Sequence, residues 1–169
     1  QYSLHLKKSK LSKLEHKEYL ADPNKDPRIE FVSNLIIDCG TFGDILVYNI
    51  SFERSRLNEL AEQFPEFKAQ LESIIERLKD LMVPFQKKWY YTSKMRGSYS
   101  IKQVLPALVP ELSYSALSIK NGESSKSTFL SMINKSFNGN ELLSRNDLLE
   151  YCRLDTYAMV KIVDKLYRL

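Results

Sequence analysis

Two carboxylates in this chain stand where an ionised group is costly, and both have neighbours suited to chemistry. Asp155 is the first. In the segment SRNDLLEYCRLDTYAMVKIVDKLYRL, Leu148, Cys152, Asp155, Met159, Ile162 and Leu166 recur at alternating spacings of four and three. That spacing puts all six on one face of a helix. A charged carboxylate on a core-facing stripe is destabilising unless it is paired, hydrogen-bonded or bound to a metal. Tyr151 precedes Asp155 by four residues, so its phenol stands on the same side. Glu53 is the second carboxylate. It follows the apolar run DILVY and heads a helix whose inward stripe is Glu53, Leu57, Leu60 and Phe64. A first-turn Glu is also favoured by the helix dipole, and a buried Asp is often satisfied by an arginine or a backbone amide. Taken alone, either residue fits both a structural and a ligand-binding role.

The elements that must position them follow from periodicity and turn chemistry. Residues 1–6 (QYSLHL) alternate apolar and polar side chains, as a half-buried strand does. Leu14 to Leu20 is predicted to pair with this strand across a lysine-rich turn. Asp26-Pro27 reads as an N-cap and first helical position, opening a helix to about Cys39 that turns Phe31, Leu35 and Ile36 inward and stops at Gly40 and Gly43. Asp44 to Tyr48 reads as a buried strand, parallel to a neighbour. Ser51 is the predicted cap of the Glu53 helix. A second helix follows Pro65, and Leu81 to Phe85 is the next predicted strand, with Pro84 at its edge. Ser100 to Leu108 reads as a helix, Lys120 to Lys126 as polar loop, Ser127 to Phe137 as a helix, and Asn138 to Asn140 as a turn. Ser144 and Asp147 resemble a capping box for the last helix. The order of elements predicts an α/β domain with a mixed sheet.

Composition bounds the rest. The chain has 169 residues, 43% hydrophobic and 27% charged, which fits one globular domain. No run approaches the roughly 20 apolar residues of a membrane span. The two cysteines, Cys39 and Cys152, lack any zinc spacing and read as reduced thiols. With no leader segment in view, these features predict a cytoplasmic protein. The net charge of +4 is compatible with nucleic acid. Lys7, Lys8, Lys10, Lys13 and Lys17 read as a solvated face. Lys87, Lys88, Lys94, Arg96 and Lys102 interleave with Trp89, Tyr90, Tyr91 and Tyr99. Such mixing suits phosphates and stacked bases, and equally suits aromatics that pack a core.

The motifs bring in a resemblance. LVYNISFE, with Asn49, Phe52 and Glu53 at a strand-to-helix junction, is similar to the second motif of the DEDD exonuclease superfamily. Tyr151-Cys-Arg-Leu-Asp155 resembles the third motif, Y-x-x-x-D, of the tyrosine-bearing branch, which includes ribonuclease D and polymerase proofreading domains. The stretches DLMVPFQKKWYYTSKMRGSYSIKQVLPALVPELSY and LLEYCRLDTYAMVKI look like an uncharacterised bacterial family of such domains.

The resemblance implies a ribonuclease-H-like fold, in which a mixed sheet is flanked by helices. It implies 3′–5′ hydrolysis of DNA or RNA with two Mg²⁺ or Mn²⁺ ions. Asp155 would ligate one ion, Tyr151 would orient the attacking water, and Glu53, where the family usually has Asp, would ligate the other. Asn49 and Phe52 would shape the site, and Tyr99 and Lys102 would contact substrate. The family's first motif, D-x-E on the central first strand, is missing before Asn49. Residues 1–6 match the second strand instead, so the single domain at 1–169 is expected to lack its first strand. The fragment is then expected to be inactive, with open sheet edges that pair with a second copy. The alternative, a degenerate nuclease fold acting as a nucleic-acid-binding or interaction module, is favoured by the Glu at position 53.

Overall fold

The computed structural model describes residues 1–9, 12–119 and 121–168. Lys10 of the first lysine cluster and Lys120 of the expected polar loop lie outside the described residues. The elements run β1 (Tyr2–Leu6), β2 (Glu15–Tyr19), α1 (Arg28–Cys39), β3 (Ile45–Val47), α2 (Ile50–Gln63), α3 (Lys68–Glu76), β4 (Leu78–Asp80), α4 (Val83–Gln86), α5 (Ile101–Leu108), α6 (Gly122–Ile133) and α7 (Glu141–Leu166). Short 3-10 turns fall at Pro65–Phe67, Ser93–Met95 and Tyr114–Ala116. Among the described residues the fold is therefore α/β, with seven helices and two small sheets. The expected single mixed sheet is replaced by two separate pairs: β1 runs antiparallel to β2, and β3 parallel to β4. No helix among the described residues is long and apolar enough to cross a membrane.

The β1–β2 ribbon lies between α1 and α7, and its alternation explains why. Tyr2 and Tyr19 are cross-strand partners with stacked rings 5.8 Å apart. Phe31 of α1 meets both rings edge-on, at 5.6 and 6.0 Å. On the opposite face, Ser3 Oγ and His5 Nδ1 each lie 2.8 Å from Thr156 Oγ1 of α7, and Ser3 Oγ is 2.9 Å from His16 Nε2. Both histidines are thus bound into the seam that joins the ribbon to α7. Among the first lysines, Lys7 pairs with Asp164, Lys8 with Glu15 and Lys17 with Asp38, in keeping with a solvated face.

The partner of β3 differs from the expected one. Ile45 pairs with Leu78 and Val47 with Asp80, whereas the predicted strand at Leu81–Phe85 contains the short helix α4. Pro84 sits in its first turn, where the missing N–H costs nothing. The preceding helix stops early at Glu76 because Arg77 is drawn aside. Its guanidinium donates to the carbonyls of Gly40 (2.8 Å), Phe42 (3.0 Å) and Gly43 (3.2 Å), fastening the α1–β3 loop.

Four helix starts also move. Pro27, not Asp26, is the N-cap of α1, although the Asp26 carboxylate accepts from Arg28 N–H at 3.1 Å. Asn49 rather than Ser51 begins α2, in the left-handed region at φ 77°. Asn121 caps α6 and Asn140 caps α7, each side chain accepting a backbone N–H. The predicted loop at 120–126 is thus largely helix, and Ser144 lies inside α7. In both cases the asparagine outcompetes the serine because it sits where the chain leaves an extended conformation.

Two hydrophobic clusters hold these parts. One gathers Phe85, Met95, Val104, Leu105, Leu148 and Ile162 around α5 and α7. The other gathers Val32, Leu57, Leu71, Ile74 and Leu78 around β3 and β4.

Candidate active site

Asp155 is held by tyrosines. The Tyr114 hydroxyl donates to Asp155 Oδ1 at 2.7 Å, and the Tyr151 phenol stands near enough to favour the charged carboxylate. Tyr151 follows from the i−4 spacing on α7. Tyr114 comes from the 3-10 turn, whose start is fixed by Ser113 accepting from Ser115 N–H. Both tyrosines are buried. Lys102 Nζ, carried by α5, lies 5.8 Å from the Tyr114 ring centre and 5.9 Å from that of Tyr151. Burial raises the pKa of Asp155, while the two phenols and the Lys102 charge oppose the rise. Burial and the Asp155 charge push both phenols upward, so they stay protonated and keep donating. α7 thus carries its carboxylate next to a core because two hydroxyls replace the lost water.

Glu53 stands in a different setting, in the first turn of α2 beside Asp80. Its neighbour Asp80 ends β4 and caps α2 across the sheet: the carboxylate accepts from Asn49 N–H (3.1 Å), Ile50 N–H (3.0 Å) and Met82 N–H (2.8 Å). A charged acceptor on three backbone donors satisfies a helix terminus that no local side chain caps. Glu53 has no such neighbours. Its Oε2 is buried without a hydrogen-bond partner among the described residues. Burial first, and then the Asp80 charge, push its carboxyl up to about 7, against a lowering from a backbone hydrogen bond.

Tyr48, at the end of β3, joins the two sides. Its hydroxyl donates to the Tyr99 carbonyl at 2.6 Å. The Asp80 charge reaches Tyr48, and Tyr48 acts in turn on Tyr114.

Of the residues singled out in the sequence, the structure brings Asp155, Tyr151 and Lys102 together. Glu53 lies on the Asp80 side of the same strand ends. Asn49 is exposed at the turn, Phe52 points outward with 62% exposure, and Tyr99 is 44% exposed, giving the site its carbonyl alone. Tyr114, Asp80 and Tyr48 are the participants that sequence reasoning missed. Tyr114 is one of ten tyrosines with no motif around it. Asp80 lay hidden at the end of a predicted helix.

The donor set fits a divalent cation only in part. Glu53 Oε2 is a free, hard oxygen of the kind Mg²⁺ or Mn²⁺ takes, but Asp155 Oδ1 is already engaged. Among the described residues no group of three or more His, Cys, Asp or Glu side chains converges to hold an ion.

Comparison with known proteins gives few relatives to reason from. No solved structure matches the chain. An uncharacterized protein of Ureaplasma parvum, UU173, is 37% identical over 93 residues, covering 46% of this chain and 14% of its own length. The chain therefore spans about one-seventh of that curated relative. Residues 1–100, more than half of the sequence, match the family described as Domain of unknown function (DUF2779), and the chain belongs to that family.

Proposed function

We propose that this chain is part of a metal-dependent nuclease domain of ribonuclease-H-like architecture, cutting phosphodiesters from the 3′ end of DNA or RNA. The observation that carries the reading is the unpartnered Glu53 Oε2. A half-desolvated carboxylate oxygen with no donor is a group awaiting a ligand. It stands at the carboxyl end of a parallel strand pair, where open α/β folds place ligands. The order of the two motifs supports it, with the first at the β3-to-α2 junction and the second within α7. Mg²⁺ or Mn²⁺, when bound, would supply Lewis acidity and an activated water.

The chain's own residues do the positioning. Glu53 and Asp155 present the carboxylates, Tyr151 and Tyr114 fix the orientation of Asp155, and Lys102 brings positive charge to the same end. The reading requires further oxygen ligands from outside the described residues, as a D-x-E strand in a longer protein would supply. β1 and β3 each have one ladder partner among the described residues, so the 169-residue chain should self-associate through the free edges. A purely monomeric sedimentation profile contradicts that part.

The test is hydrolysis of a 5′-labelled oligonucleotide by the longer protein in Mg²⁺. Glu53→Gln and Asp155→Asn should each slow it by about a hundredfold, the scale of losing one electrostatic catalytic group. An unchanged rate in both variants overturns the reading.

A second reading is a binding module on a degenerate nuclease fold. It is favoured by Tyr114 occupying Asp155 Oδ1. It predicts oligonucleotide binding with no hydrolysis in the wild-type longer protein.

A further inference from the structure

One stretch of this protein is cationic over thirty residues and carries no acidic side chain. Residues 81–110 contain Lys87, Lys88, Lys94, Arg96 and Lys102 and no Asp or Glu. Outside that stretch, twenty Lys and Arg face twenty-one Asp and Glu. This segment therefore carries a formal charge of +5 against −1 for the rest of the chain.

The same segment displays aromatic rings. Trp89, the only tryptophan, is 70% exposed, and Tyr91 is 51% exposed. These rings are built outward rather than left loose. Phe85 and Met95 are 2% and 1% exposed and anchor the segment in the core. Tyr90 packs edge-on to Phe85 at 6.2 Å. Anchors and displayed rings thus alternate: Phe85 in, Trp89 out, Tyr90 in, Tyr91 out, Met95 in. The backbone between them is fixed. Trp89 N–H and Tyr90 N–H both donate to Pro84 O, at 2.8 and 3.2 Å. Lys88 and Arg96 take left-handed conformations, at φ 56° and 51°, which residues with a Cβ adopt only when their surroundings impose it. Lys87 Nζ lies 5.4 Å from the Trp89 ring centre.

We propose that this segment is a binding platform for unpaired nucleic acid. Bases would stack on Trp89 and Tyr91, and phosphates would lie against Lys87, Lys88, Lys94 and Arg96. A cationic segment that contributes no carboxylate and carries exposed rings is the chemistry that single strands require. A duplex hides its base faces and engages the charge alone. The inference rests on the nucleic-acid reading above for its ligand class, and it adds where the strand is held and in what form.

Because Trp89 is the only tryptophan, its fluorescence reports stacking directly. The 169-residue protein is titrated with a twelve-nucleotide dT or U strand in EDTA, which removes any hydrolysis. Quenching is expected, with at least about tenfold weaker binding of the matching duplex. By anisotropy of a labelled strand, Trp89→Ala should weaken binding about tenfold, within the range for losing one stacked base, and Trp89→Phe should retain most of it. Changing Lys87 and Lys88 together to Ala should reduce the salt slope by about one to one and a half, the single-strand value for two phosphates. Trp89 is exposed, so circular dichroism should show both Trp89 variants folded. Absence of quenching at low salt overturns the proposal in favour of a protein partner. Equal affinity for strand and duplex overturns the unpaired form. Asp155→Asn should leave quenching intact while slowing hydrolysis in the longer protein about a hundredfold. A platform that binds beside an inert Glu53–Asp155 site would therefore defeat the nuclease reading alone, and hydrolysis without quenching would defeat only the platform.

Discussion

Asp155 and Glu53 are both half-buried carboxylates on the inward face of a helix, and burial raises the pKa of both. Their oxygens are treated differently. Asp155 receives the Tyr114 donor, with the Tyr151 phenol and the field of Lys102 beside it, whereas among the described residues Glu53 keeps one buried oxygen without a donor and shares its surroundings with the negative Asp80. The contrast separates holding a charge from exposing one. The Asp155 side is arranged so that the carboxylate stays put, and the Glu53 side so that an oxygen remains available. In a site that binds a cation, the first is an orienting anchor and the second is an open ligand.

The largest effect should come from emptying the Asp155 side. Asp155→Ala leaves the Tyr114 hydroxyl buried without its acceptor, a loss of about 2–3 kcal/mol in urea denaturation. Asp155→Asn keeps a carbonyl acceptor and should cost less than about 1 kcal/mol. Equal losses in the two variants would show that the phenols do not hold Asp155.

Next is Asp80→Ala, which removes the shared cap of α2 and of the turn before α4. About 2 kcal/mol is expected, the upper end for a helix cap. Hydrogen exchange should rise first at Asn49, Ile50 and Met82.

Glu53→Gln should act in the opposite direction and depend on pH. The folded-state pKa is raised to about 7 from an ordinary 4.5, so the folded state binds the proton more tightly. Stability linked to Glu53 is complete below about 4.5 and is lost as pH rises through about 7. Between pH 4.5 and 8 the wild type should lose about 1–2 kcal/mol relative to Glu53→Gln, after allowance for the solvent reaching this group. A pH-independent difference would show that Glu53 is satisfied. The smallest effect should be Tyr151→Phe, at about 1 kcal/mol or less, since Tyr114 still donates.

Much of this arrangement was legible in the residues. The three-and-four stripe placed Asp155 and Tyr151 correctly because helix periodicity is local, and the Glu53 stripe likewise. The alternation in residues 1–6 gave β1 and its antiparallel partner. What escaped depends on contacts between distant segments. Leu78–Asp80 is only three residues long and becomes a strand through β3. Arg77 ends α3 by reaching carbonyls thirty-four to thirty-seven residues away. Tyr114 meets Asp155 across forty-one residues, with no pattern in the chain to announce it. The displayed Trp89 and half-buried Tyr90 are adjacent residues of similar chemistry, and tertiary packing decides which faces out.

The proposed nuclease role requires Glu53 and Asp155 to serve one cation site. The most direct measurement is the anomalous difference map of a crystal of the longer protein soaked in Mn²⁺. A peak bonded to Glu53 Oε2 and within coordination reach of Asp155 is the predicted result. A protein that cleaves oligonucleotides with its Mn²⁺ bound elsewhere, and with Tyr114 still closing Asp155 Oδ1, would contradict it.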